Sequence, residues 1–87
     1  KSTRLTATGD GSPGPARLLN VHWLAGATAG TITIRDGGAS GDVLTIIDTP
    51  AEATASDNMS FGDAPLLAKE LIHVTLEDVT AVTLHWK

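Results

Sequence analysis

Three histidines, His22, His73 and His85, are the side chains of this sequence best suited to metal or acid–base chemistry. A zinc or nickel site would need three ring nitrogens converging at about 2.0–2.1 Å from the ion. All three fall opposite the aliphatic positions of their apolar segments, on the outer side of a sheet. If the last two segments, 71–76 and 81–87, form a hairpin about 77–80, one register sets His73 across from His85. No carboxylate pair stands at a fixed short spacing nearby, so surface or subunit-contact histidines are expected rather than ligands. The sharper alternative is a shared part in a contact that responds to pH, because imidazole changes charge near neutrality.

The ten carboxylates fall almost entirely at turns, where Asp bonds local backbone and tolerates unusual dihedrals. A glycosidase would need two of them facing across a cleft. The stretch from Asp36 to Asp42 has glycines between its acids but lacks the ligand alternation and closing Glu of a calcium loop. None of Ser12, Ser40, Ser56 and Ser60 sits in a Gly-x-Ser-x-Gly elbow. Gly9, Gly11 and Gly14 match a dinucleotide-binding spacing letter by letter, yet Pro13 and Pro15 flank the last glycine and no helix follows. Trp23 and Trp86 share a strand face with aliphatic residues, which points to burial rather than a sugar platform. No catalytic, cofactor-binding or metal residue is expected, and the chain is not expected to be an enzyme.

The elements that hold these residues are strands. Aliphatic and Thr-rich runs alternate with Gly, Pro, Asp and Ser clusters, and no long segment has helical spacing. The first strand is expected over 2–8, with Leu5 and Ala7 inward, and an irregular loop over 9–15. The second covers 16–24, with Leu19, Val21 and Trp23 on one face and Leu18, Asn20, His22 and Leu24 on the other. Then come 31–36, with Ile32 and Ile34 inward, and 42–48, with Leu44 and Ile46 on one face and Val43 and Ile47 on the other. A polar edge strand is expected over 54–61, with Ala55, Met59 and Phe61 inward, then at most one helical turn opened by Pro65. Ile72, Val74 and Leu76, and Val82, Leu84 and Trp86, point inward from the last two strands. The expected fold is all-β: one domain over 1–87, an antiparallel β-sandwich of about seven strands, jelly-roll-like.

Composition bounds the rest. The chain has 87 residues, is 41% hydrophobic and only 3% aromatic, so its core is aliphatic and modest, and association is expected to add stability. The formal charge of −4 and the dispersal of the six Lys and Arg along the sequence argue against nucleic acid as a partner. No apolar run approaches the length of a membrane span. The absence of cysteine removes disulfides, thiolate metal sites and thiol nucleophiles, and favours cytosolic synthesis. The start at Lys1 rather than Met leaves a leader or truncation open.

Several stretches together resemble small β-proteins of tailed bacteriophage particles. Gly14-Pro15-Ala16-Arg17-Leu18 is similar to an opening that recurs among them. The run from Ala25 to Gly37 looks like their glycine-hinged strand pair, and Leu44 to Pro50 and Leu71 to Trp86 complete the pattern. The resemblance implies a virion structural protein made in the host cytoplasm: a capsid decoration (cement) subunit, or a module of a head fibre or tail. It would bind the major capsid protein or neighbouring subunits and form a homo-oligomer, a trimer among the forms such subunits take. The alternatives are a carbohydrate- or receptor-binding module of a phage fibre or secreted protein, and a small cupin-type enzyme using the histidines. Contacts are expected at the glycine-rich loops, through Ser12, Pro13, Pro15 and Asp36, and at an outward row of His22, His73 and His85.

Overall fold

The computed structural model describes residues 1–52 and 55–87. These form nine strands: β1 Ser2–Leu5, β2 Gly9–Asp10, β3 Ala16–Ala25, β4 Gly30–Asp36, β5 Asp42–Thr49, β6 Ser56–Ser60, β7 Leu66–Ala68, β8 Ile72–Glu77 and β9 Val79–Trp86. Two antiparallel sheets result, one ordered β1-β9-β3-β6 with β7 also on β3, the other β2-β8-β4-β5. β6 and β7 pair with successive halves of β3, so they are one strand interrupted by the turn at Gly62, whose φ is +55°. The pairs are therefore nested: β1 with β9, β2 with β8, β3 with β6–β7, and β4 with β5. A nested hairpin rolled into two four-stranded sheets is the jelly-roll winding. The sandwich has nine strands rather than seven, because the loop expected over 9–15 contains β2 and the helical turn expected near Pro65 is β7.

Between the sheets lies an aliphatic core that includes Leu18, Val21, Ile32, Ile34, Ile72, Val74, Val82 and Leu84, with Trp23 and Trp86 at its sides. Both tryptophans are buried, and Trp86 Nε1 donates to Thr3 Oγ1 at 3.0 Å, tying β9 to β1. Period-two alternation assigns most inward residues correctly, and fails at two bulges. In β3 the register passes from Leu18 opposite Trp86 to Asn20 opposite His85, leaving Leu19 as the extra residue. Leu18 thereby joins Val21 and Trp23 in the core, and Leu19 is only half-buried. In β5 the register passes from Thr45 opposite Ile34 to Val43 opposite Arg35, so Leu44 is the extra residue. Leu44 and Ile47 then pack inward, while Val43 and Ile46 face out.

The first strand also stops sooner than expected. It ends at Leu5, Ala7 is exposed, and residues 6–8 carry the chain to the other sheet. The largest correction concerns the end of the chain. β8 and β9 are not a hairpin: β8 pairs with β2 and β4, β9 with β1 and β3. A single residue, Asp78, joins them at φ +56°, a left-handed corner that Asp tolerates better than most residues. Both apolar rows thus meet the same core from opposite sheets. Of the polar strand expected over 54–61, Thr54 lies outside the described residues; β6 is indeed at the edge of its sheet, Met59 is partly exposed there, and Phe61 packs on the core.

Candidate functional site

The histidines do not form one row. His22 and His85 share the outer face of the β1-β9-β3-β6 sheet, in adjacent rows, opposite Thr83 and Asn20 respectively. His73 lies on the outer face of the other sheet, between register partners Asp10 and Arg35. The sandwich separates it from the other two because Asp78 sends β9 into the opposite sheet. His73 is buried, and its Nδ1 is 2.9 Å from Asp10 Oδ1, the geometry of a ring N–H donating to a carboxylate. On its other side the Arg35 guanidinium donates from Nη1 to Gly41 O at 3.1 Å. Among the described residues no three His, Cys, Asp or Glu side chains converge as a metal site requires. The interior where a cupin would hold its ion is occupied by aliphatic side chains, and all three rings stand on the outer faces.

Two of the expected contact residues, Ser12 and Asp36, are bonded into the scaffold. Ser12 is buried; its Oγ accepts the Ile72 N–H at 2.9 Å and donates to Gly14 O at 2.8 Å. Gly11 N–H donates to Ile72 O at 2.7 Å, so the Ser12 hydroxyl continues by side chain the ladder that β2 begins on β8. Asp36 ends β4 and clamps the loop after β7: its carboxylate accepts Glu70 N–H and Lys69 N–H, each at 2.9 Å. Those bonds, from Glu70 first and then Lys69, hold its pKa below the ordinary carboxylate value. Both residues were legible as polar loop residues, and nothing local marks their partners 60 and 34 positions away. Pro13 and Pro15 are exposed, as a contact role would require.

What the fold does assemble is an edge. β5 and β6 are consecutive in the chain and last in their respective sheets, so they border the same side of the sandwich. Among the described residues the exposed large apolar side chains are Val43, Ile46, Met59 and Leu67, with Ile46 at 56% and Leu67 at 53% exposure. All four stand on β5, β6 or β7. The opposite side is bordered by β1 and β2, four and two residues long. Very short edge strands are a common protection against unwanted pairing. β5, eight residues long, is not shortened in this way. Its charges are Asp42 and Asp48 at its ends, and Pro50 follows it. The bulge at Leu44 is what turns Val43 to the same outer face as Ile46, so strict alternation along the sequence does not announce the patch.

Comparison with known protein families, with curated proteins and with solved structures finds no match.

Proposed function

We propose that this chain is a non-catalytic structural subunit that joins its neighbours through the β5/β6–β7 edge, of the kind that decorates or completes a virion surface. The single observation that carries the assembly role is the placement of Val43, Ile46, Met59 and Leu67 on the one side of the sandwich bordered by a long open strand. Apolar side chains beside unpaired backbone form a template for a second strand or a second subunit. The virion setting is what the sequence resemblance contributes, and the capsid protein or another copy of this chain is the neighbour it implies. The filled core supports a role exercised by surfaces.

Sedimentation equilibrium over a wide concentration range tests the proposal. The wild-type chain is expected to self-associate or to bind particles of the virus that encodes it. Replacing Ile46 and Leu67 together by Lys is expected to abolish either behaviour without unfolding the domain, since both side chains already face solvent. A chain that stays monomeric at high concentration and ignores those particles would remove the proposal. So would association that the double variant leaves intact.

A further inference from the structure

The outer face of the β1-β9-β3-β6 sheet is chemically unlike the rest of the molecule. Arg4, Arg17, His22 and His85 occupy outward positions there. Lys87 joins them, opposite Arg17 across paired backbone bonds of 2.8 and 3.0 Å. Among the described residues none of the outward positions of these strands is acidic, in a chain whose formal charge is −4. Around Arg4, His22 and His85 most side chains are short hydrogen-bonding ones, while Leu67 stands opposite Arg17. Asn58 Nδ2 donates to Asn20 Oδ1 at 3.3 Å, and Thr83 lies between Arg4 and His22 in one cross-strand row. A depression of about 320 Å³ is lined by Arg4, His22, Leu24, Ser56, Ala81 and Thr83. Its floor is low because Ala81, Thr83 and Ser56 are small, and Arg4, His22 and Leu24 rise around it.

The chemistry of this face selects among partners. A protein–protein contact has an apolar, often aromatic centre, whereas this depression offers only Leu24 and Ala81. Neutral glycans are gripped largely by aromatic rings, and the two tryptophans are buried on the inner side. Nucleic acid calls for a denser basic stripe with stacking side chains, and the negative net charge opposes its approach. A polyhydroxylated anion matches what is present: a guanidinium for the charged group, amides and hydroxyls for the remainder. We propose that this face binds an anionic polysaccharide, with a uronate or sulfate group on Arg4 beside His22 and its hydroxyls on the neighbouring Asn, Ser and Thr side chains.

The test is titration calorimetry of the full chain with polygalacturonate, heparin, neutral dextran, poly-glutamate and duplex DNA, at low and high salt. Polygalacturonate or heparin is expected to bind, and salt to weaken the binding. Binding of the first alone assigns a carboxylate, of the second alone a sulfate. Arg4→Ala is expected to weaken it by about tenfold or more, the scale of one charge-assisted hydrogen bond. His22→Gln should weaken it less, and Arg35→Ala on the other sheet not at all. Arg4 and His22 are exposed, so neither change threatens the fold, and unchanged thermal unfolding confirms that for each variant. Failure of both anionic glycans to bind at low salt would overturn the proposal. Equal binding by Arg4→Ala would do so as well, and so would poly-glutamate or DNA binding at least as tightly as the glycans.

Discussion

Replacing Ser12 with Ala removes one oxygen and leaves two backbone groups without their partner. The first is the Ile72 N–H, bonded to Ser12 Oγ at 2.9 Å in a part of the molecule where Ile72 is fully buried and Ser12 is 3% exposed. The second is Gly14 O, which is half-buried and can turn to water. An orphaned buried N–H costs about 1–3 kcal/mol, and the Gly14 carbonyl adds little, so a loss of about 2 kcal/mol is expected. For a domain of this size each kcal/mol moves Tm by about 4–8 °C, so the melting point should fall by about 8–16 °C. Thermal unfolding followed by circular dichroism measures it, with Ser40→Ala, an exposed serine, as the control expected to change stability by less than about 0.5 kcal/mol. Hydrogen exchange adds a local readout: the Ile72 amide should lose protection more than those of β4 or β9. A Ser12→Ala protein that melts within about 2 °C of wild type would refute the assignment of Ser12 as a structural bridge. It would also leave an exposed, contact-making Ser12 as the better description.

Acid should expose the Asp36 clamp. The folded pKa of Asp36 lies below its ordinary value of 3.8 because the carboxylate accepts the Glu70 and Lys69 N–H groups. Its contribution is therefore complete above that ordinary value and is lost as pH falls through the lower folded one. Urea midpoints measured from neutral pH into strong acid should decline more steeply for wild type than for Asp36→Asn; parallel declines would contradict the clamp. Gly11→Ala should destabilise strongly, since the added methyl would overlap Leu84 Cδ1 and press on Ile72 Cγ2 at the centre of the core. Gly14→Ala, where nothing stands within 4 Å of the new methyl, serves as its control in chemical denaturation. A Gly11→Ala protein as stable as that control would show that the loop packs differently.

Much of the fold is legible along the chain and much less of the surface. Alternation of Ile32 and Ile34, of Ile72 and Val74, and of Val82, Leu84 and Trp86 identifies strands and their buried faces without reference to any partner. The same rule misplaces Leu18 and Leu19, and it groups Leu44 with Ile46 and Val43 with Ile47 on the wrong faces, because a bulge inserts one residue and reverses the parity beyond it. Bulges are set by pairing between strands, which local pattern does not encode. Asp78 is a similar case: a hairpin and a one-residue corner between sheets need the same polar turn residue, and only the common core decides between them. The apolar edge depends on β5 and β6 both being last in their sheets, and the exposure of Val43 within it on the Leu44 bulge. The basic face depends on β9 lying between β1 and β3, which sets Arg4, Arg17 and Lys87, from both ends of the sequence, on one face. Dispersed in sequence, those cations give no charge run. Ser12 stands in a polar loop and Asp36 at the strand end before one, and their burial or engagement comes from groups far along the chain.

The assembly role rests on which side of the sandwich is covered when the protein joins its neighbours. Amide hydrogen exchange, measured at a dilution where the chain is dispersed and again in the associated state, tests this residue by residue. New protection is expected along Asp42–Thr49 and Ser56–Ser60, with β1 and β2 unchanged. New protection at β1 and β2 instead, or association that leaves β5 exchanging as freely as before, would contradict it.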